Sequence, residues 1–219
     1  MGWEGLSRGP RGTEVEYPTL LFGRAARFGL TEELERSCRR QIFSDWEAFG
    51  MTERLFVNTV PATIRDSSFL GRGVLDYLGP KLSPRFVTLE ITERQVIENL
   101  SLYREAMQAF TDLGFSFAID DLGAGYSGLE TVAALRPSYL KIDMALVRDL
   151  HLKKVNQQVV KAIQDMGVGV GATVIAEGIQ TTEESDAVRA LGIRYGQGYL
   201  FARPLDPATL RDQRPTARA

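Results

Sequence analysis

Short apolar, β-prone runs alternate along this 219-residue chain with longer segments of helical period, and that alternation restricts the fold more than any other feature. The runs are Trp3 to Leu6, Leu55 to Asn58, Val87 to Ile91, Phe117 to Asp120, Tyr139 to Ile142, Val174 to Glu177 and Gly196 to Phe201. Between them, Leu102, Ala106, Ala109, Phe110 and Leu113 recur at three- and four-residue spacing, with Gly114 as a helix stop. Val155, Val159, Ile163 and Met166 form a second stripe ending at Gly167, and Thr181 with Glu184 has capping-box spacing ahead of Ala187, Val188 and Leu191. Each stripe reads as a helix face buried against a sheet. Alternating strands and helices imply parallel strands joined by crossover helices, and seven such units favour closure into a (β/α)8-type barrel over an open sheet. An open doubly wound sheet would carry a glycine-rich turn after its first strand, and none is visible.

Composition fits one folded unit. Apolar residues make up 44% and charged residues 25%, enough to bury a core. No repeat or Pro/Gly-rich linker divides the chain, so residues 1–210 read as one domain and 211–219 as a polar tail. A net charge of −2 argues against a DNA- or RNA-coating protein, which needs a concentrated excess of Lys and Arg, but leaves room for a small anionic ligand. Cys38 is the only cysteine, so no internal disulfide can form. No apolar run approaches the roughly 20 residues that span a bilayer, and no basic-then-apolar leader is visible. A soluble, cytoplasmic domain without a membrane segment is the expectation.

Nearly every expected strand ends in or beside a residue that binds a metal or moves a proton: Glu4, Asn58, Glu90, Asp120, Asp121, Lys141, Asp143, Glu177 and Gln197. One such residue is an ordinary solvated strand end. Repetition is harder to explain that way, because barrel strand ends open on one face and clustered carboxylates repel unless a cation neutralises them. Glu4, Asn58, Glu90, Asp120 and Asp121 offer oxygen only, which suits Mg²⁺ or Mn²⁺ and disfavours zinc or copper. His151, the only histidine, lies in a polar stretch and reads as surface, which disfavours a Ser-His-Asp hydrolase, and Cys38 has no catalytic partner nearby. Consecutive strand residues face opposite ways, so Asp120 and Asp121 reach one site only where the strand ends and turns, with Gly123, Gly125 and Gly128 supplying the turn. The bland alternative is a tight glycine-rich connection with solvated aspartates. Lys141 lies inside the apolar run Tyr139 to Ile142 and needs an anionic partner or a metal-bound water.

The surroundings of these residues resemble the EAL family from near the N-terminus to about Pro204. Trp3-Glu4-Gly5-Leu6-Ser7-Arg8 is similar to the signature that names the family, with Gly5 in the alanine place. Val57-Asn58, Leu89-Glu90-Ile91-Thr92-Glu93, Ile119 to Ser127, Leu140-Lys141-Ile142-Asp143, Ile175-Ala176-Glu177-Gly178 and Gln197-Gly198-Tyr199-Leu200-Phe201 continue the series in family order. The resemblance implies hydrolysis of the bacterial second messenger cyclic di-GMP to linear pGpG. It implies a barrel in which one strand runs antiparallel to the rest, and two bound Mg²⁺ or Mn²⁺ ions, with Ca²⁺ binding and inhibiting. Glu4, Asn58, Glu90 and Asp120 would hold one ion, with Asp120 and Asp121 contributing to the second. Glu177 would act as general base or further ligand and Lys141 as electrostatic stabiliser. Leu6, Arg8, Asp143, Gln197 and Pro204 would contact substrate, and Glu93 would brace the loop from Asp120 to Gly128. A homodimer and an upstream sensory or cyclase domain would be its partners.

The chain departs from the family pattern in two main places. The family begins with another strand, the antiparallel one, ahead of the signature, and this sequence starts after it; Gln180 stands where the family commonly has glutamate. Gly5 and Thr59-Val60 are milder changes. The alternative within the family is a cyclic di-GMP receptor or interaction module without hydrolysis. Outside it, an enolase-like lyase would also combine strand-end carboxylates, Mg²⁺ and lysine, but the paired aspartates and glycine-rich loop speak against that reading. A purely structural domain would leave the acidic cluster without purpose.

Overall fold

Each apolar run overlaps a strand in a computed structural model of the chain, the last run only at Gly196: β1 Gly2–Gly5, β2 Arg54–Asn58, β3 Val87–Thr92, β4 Ser116–Leu122, β5 Tyr139–Ile142, β6 Thr173–Ala176 and β7 Tyr195–Gly196. The helices are α1 Pro18–Arg27, α2 Thr31–Ala48, α3 Gly73–Leu78, α4 Leu100–Asp112, α5 Gly128–Leu135, α6 Met144–Val147, α7 Lys154–Val170 and α8 Thr182–Ala190. The structure describes residues 2–59, 73–79, 82–93, 100–123, 128–206 and 209; Val60, the loop from Ala124 to Ser127 and the expected tail 211–219 lie outside them. Sheet order follows sequence order, and the described pairings, β1 with β2, β4 with β5, β5 with β6 and β6 with β7, are all parallel. That is the α/β pattern the alternation demands. Among the described residues no helix is long and apolar enough to cross a membrane. The chain packs as two compact units, one of Met1–Thr88, Asp112–Phe115 and Pro204–Ala219, the other of Leu89–Thr111 and Ser116–Arg203.

In the first unit, β1 lies beside β2 with Glu4 opposite Phe56 and Gly5 opposite Val57. Leu55, Phe56 and Val57 are buried, as are Phe43 and Trp46 of α2. The same face of α2 carries Glu35 and Arg39, whose side chains are 6% and 3% exposed and whose Oε2 and Nη1 are 2.8 Å apart. A buried charge pair standing where apolar residues would be expected makes the helical period faint in the sequence. Gly5 has a packing reason: a Cβ there would stand 2.7 Å from Ile42 Cγ2, so the family's alanine would push α2 away from β1.

Among the described residues, the second unit holds the larger apolar core. On α4 the buried face is Tyr103, Ala106, Met107 and Phe110, and Phe110 meets Phe117 of β4 edge to face at 6.1 Å. Of the expected stripe, Ala106 and Phe110 lie on this face, whereas Ala109 is exposed and Leu102 and Leu113 are only half-buried. On α7 the departure is larger. Val155 and Val159 are 72% and 39% exposed, and the face turned inward is Val160, Ile163 and Gly167. Gly167 does not stop the helix, which runs to Val170 and ends at Gly171 with φ +79°. A Cβ on Gly167 would lie 2.5 Å from Val174 Cγ2 and 3.4 Å from Leu140 Cδ1, so this glycine lets α7 settle onto β5 and β6. The last expected strand is shorter than read: β7 ends at Gly196, and Gln197 to Phe201 turn back, with Ile179 N–H donating to the Gln197 carbonyl at 3.0 Å and Leu200 N–H to the Ile179 carbonyl at 3.1 Å.

The capping box forms as its spacing predicts. Thr181 Oγ1 accepts from Glu184 N–H at 3.2 Å, and Glu184 Oε2 accepts from the N–H groups of Gln180 at 2.8 Å and Thr181 at 3.3 Å. Glu184 is only 1% exposed. Burial pushes its carboxyl pKa up, but the backbone N–H groups of Gln180 and Asp149, the Arg148 guanidinium and the Thr181 N–H together hold it below the ordinary 4.5. A folded-state pKa below the unfolded one gives stability that is present above the unfolded pKa and is lost as pH falls through the folded one. Glu184→Gln is therefore expected to lower urea stability at pH 7 by about 1–3 kcal/mol, a gap that narrows as pH drops below 4.5. Gly167→Val should cost about 1–3 kcal/mol by overpacking, read from the same denaturation midpoint; a midpoint equal to wild type would show that α7 does not need this close approach.

Candidate active site

In the second unit, four strand ends deliver charge to one place. Lys141, on β5, is 2% exposed, and its Nζ stands 2.6 Å from Glu90 Oε1 of β3, 3.2 Å from Asp120 Oδ1 of β4 and 2.8 Å from Glu177 Oε1 immediately after β6. The Glu177 N–H donates to the Ile142 carbonyl at 3.1 Å, continuing the β5–β6 ladder one residue past β6. The ammonium in the apolar run thus has the anionic partners its position requires.

Asp120 and Asp121 reach the same side by a local distortion. Asp121 has φ +56°, Asp120 Oδ1 accepts from the Asp121 N–H at 3.0 Å, and the pairing of β4 with β5 shifts register between Ile119 and Leu122. A regular strand would point the two carboxylates apart. Here Asp120, Asp121 and Glu177 each present a carboxylate oxygen, all within 4.8 Å of one another. With Glu90, four carboxylates gather around one ammonium, a formal excess of three negative charges; Glu90 and Asp120 are buried, Glu177 is half-buried and Asp121 is exposed. That donor set, all oxygen and charge-rich, fits a hard divalent cation.

The remaining expected site residues fall as follows. In the first unit Glu4 Oε1 accepts from Asn58 Nδ2 at 3.0 Å, Leu6 is 41% exposed, Arg8 is exposed with Nη1 on the Ser7 carbonyl at 2.8 Å, and Pro204 is exposed. In the second unit Asp143 caps α6, accepting from the Ala145 N–H at 2.7 Å, and Gln197 is exposed with its N–H on the Ala176 carbonyl at 2.8 Å. Glu93 is buried at 3% exposure, but the loop it was expected to brace lies outside the described residues. His151 is exposed, as expected. The Gln180 side chain is exposed, and its N–H is taken by Glu184. Sequence reading missed the partners of Arg148. It donates to Glu184 Oε1 at 3.2 Å and to the Gly178 carbonyl at 3.4 Å, across more than thirty residues of sequence in the first case, so only the capping-box half of Glu184's role was visible.

Comparison with known proteins agrees with the motifs. The EAL domain family model matches residues 2–204, so the chain belongs to the EAL domain family. Among curated relatives, "Cyclic di-GMP phosphodiesterase PdeR" of Escherichia coli (strain K12) is 33% identical over 76% of this chain and 25% of its own length. "Probable cyclic di-GMP phosphodiesterase PdeA" of the same organism is 32% identical over 69% of this chain and 21% of its own. The chain spans about a quarter of the length of the curated relatives it matches. A solved Klebsiella pneumoniae protein, BlrP1 in a calcium/cyclic di-GMP complex, superposes with a TM-score of 0.84 at 31% identity, covering 92% of this chain and 50% of that one; its manganese/cyclic di-GMP complex gives 0.83. The fold is therefore the α/β, (β/α)8-type fold of the EAL class.

Lys141→Met would strand Glu90 and Asp120 without their cation. It is expected to lower unfolding free energy by about 3–5 kcal/mol in urea melts; a stability equal to wild type would show that the ammonium is not what neutralises the cluster.

Proposed function

We propose that this chain is a metal-dependent phosphodiesterase that hydrolyses cyclic di-GMP to linear pGpG. The observation that carries the reading is the convergence of Asp120, Asp121 and Glu177 within 4.8 Å beside Lys141. The names of its relatives supply the substrate class.

Mg²⁺ or Mn²⁺ ions bound by Asp120, Asp121, Glu90 and Glu177 would supply Lewis-acid stabilisation of the phosphoryl oxygens. The chain's own residues do the rest. The attacking water gives up a proton to the Glu177 carboxylate as the water oxygen bonds to phosphorus, and the ring P–O bond breaks while the departing oxygen takes a proton from solvent, leaving one hydroxyl end. Lys141 Nζ holds Glu90, Asp120 and Glu177 in one arrangement throughout, so little reorganisation accompanies the charge change. Glu4 and Asn58 are assigned as further ligands by motif, and Arg8, Leu6, Asp143, Gln197 and Pro204 as substrate contacts. Arg8's exposed guanidinium suits a phosphate. Glu93 is assigned as a brace of the loop that follows Asp121. Ca²⁺ would bind the same oxygens and inhibit, because its looser, longer coordination misplaces the reacting groups. A homodimer, an upstream regulatory domain and a cytoplasmic setting complete the reading.

Turnover of cyclic di-GMP with Mn²⁺, followed by chromatography of the linear product, tests it. Glu177→Gln is expected to lower kcat by about 10²–10⁴-fold with folding retained, and Glu4→Ala to abolish turnover. Tight cyclic di-GMP binding by wild type with no linear product would replace the hydrolase with a receptor.

A further inference from the structure

Glu177 begins a short bridge, residues 177–180, between β6 and α8, and the bridge is bonded along its length. Glu177 N–H goes to Ile142, Ile179 is bonded through both its N–H and its carbonyl to the turn after β7, and Gln180 N–H goes to Glu184 Oε2. At Gly178 φ is +68°, and a Cβ there would lie 2.4 Å from Met144 Cβ, so this backbone presses closely on α6. Its carbonyl takes the Arg148 Nη2–H at 3.4 Å, while Nη1 of the same guanidinium donates to Glu184 Oε1 at 3.2 Å. Glu184 Oε1 also accepts the Asp149 N–H at 3.0 Å.

A capping box accounts for Glu184 Oε2 and for Thr181. It does not account for Oε1, which reaches across to Arg148 and Asp149, nor for the second arm of Arg148 on the residue next to Glu177. We infer that Glu184 and Arg148 are positioning residues that clamp the backbone at Gly178 and Gln180, and so hold the Glu177 carboxylate in register with Asp120 and Asp121. Neither acts on the reacting atoms; both act through the bridge. The forked guanidinium is essential because one planar group must serve a carboxylate and a carbonyl together. The inference rests on the reading that this carboxylate cluster takes up a divalent cation.

Mn²⁺ titration of the intact chain without substrate, read by electron paramagnetic resonance, tests the clamp apart from turnover. Glu184→Gln and Arg148→Lys are expected to weaken Mn²⁺ binding by about 10–100-fold, the usual effect of losing a group that orients a metal ligand, and to lower kcat on cyclic di-GMP by a similar factor with KM unchanged. Arg148 is partly exposed, so its lysine variant folds even if loss of the Glu184 charge proves too disruptive. Val188→Ala is the control: it opens the packing of α8 at a buried residue without touching the clamp, and should lower the Tm while leaving Mn²⁺ affinity at the wild-type value. Wild-type affinity in both clamp variants, or an equal loss in Val188→Ala, overturns the clamp alone. A wild-type chain that takes up no Mn²⁺ overturns the phosphodiesterase reading and the clamp together.

Discussion

An ammonium at the centre of a buried strand persists only if anions surround it, and Lys141 is the constraint on which the second unit is organised. Its three carboxylate partners come from β3, β4 and the residue after β6. They can meet one side chain of β5 only if the strands run parallel and end at the same level, which the β5–β6 register provides by setting Lys141 opposite Ile175. Such a cluster is poor value as a stabilising device, because desolvation of the charges offsets most of their attraction, and well-packed apolar residues would hold the sheet at least as well. Four carboxylates against one lysine leave an excess of negative charge that packing does not explain and that a bound cation resolves.

The sheet pays for this arrangement in backbone regularity at β4. Asp121 adopts a left-handed conformation, which aspartate tolerates better than most residues, and the ladder to β5 slips beside it. Two adjacent carboxylates then share a side. On the other face, Gly167 admits α7 against Leu140, next to Lys141 in sequence, and against Val174 of β6.

Strand identity and the need of Lys141 for anions were legible in the sequence because both are local. A run such as Tyr139 to Ile142 marks its strand by composition, and the lysine inside it announces a need for anions. The adjacency of Asp120 and Asp121 led to the expectation that the strand ends and turns there; instead β4 runs on to Leu122, and a left-handed Asp121 with a register slip against β5 brings the second carboxylate round. Helix faces were less legible. On α7, Val155 and Val159 suggested an inward stripe, yet they are exposed, and the contact falls to Val160, Ile163 and a glycine. Hydrophobicity reports what a residue prefers, whereas Gly167 is chosen for what it lacks. The Glu35–Arg39 pair of α2 was hidden for a related reason, since charged residues read as solvated until a partner one turn away satisfies them.

Two of the places where the chain leaves the family pattern, Gly5 and Gln180, take on a physical meaning. Gly5 answers to Ile42, a packing neighbour in the same unit, and so belongs to the fit of α2 on β1. Gln180 contributes its backbone N–H to Glu184 and extends its side chain to solvent; any residue but proline could make that bond. Neither change removes a carboxylate from around Lys141. Glu90, Asp120, Asp121 and Glu177 are all present, and the excess charge they create is untouched by either substitution. A chain that had lost the need for a cation would be free to replace one of these acids with an apolar or amide residue and so relieve their mutual repulsion. All four acids are present in this chain, together with the left-handed backbone at Asp121 that brings its carboxylate to the others.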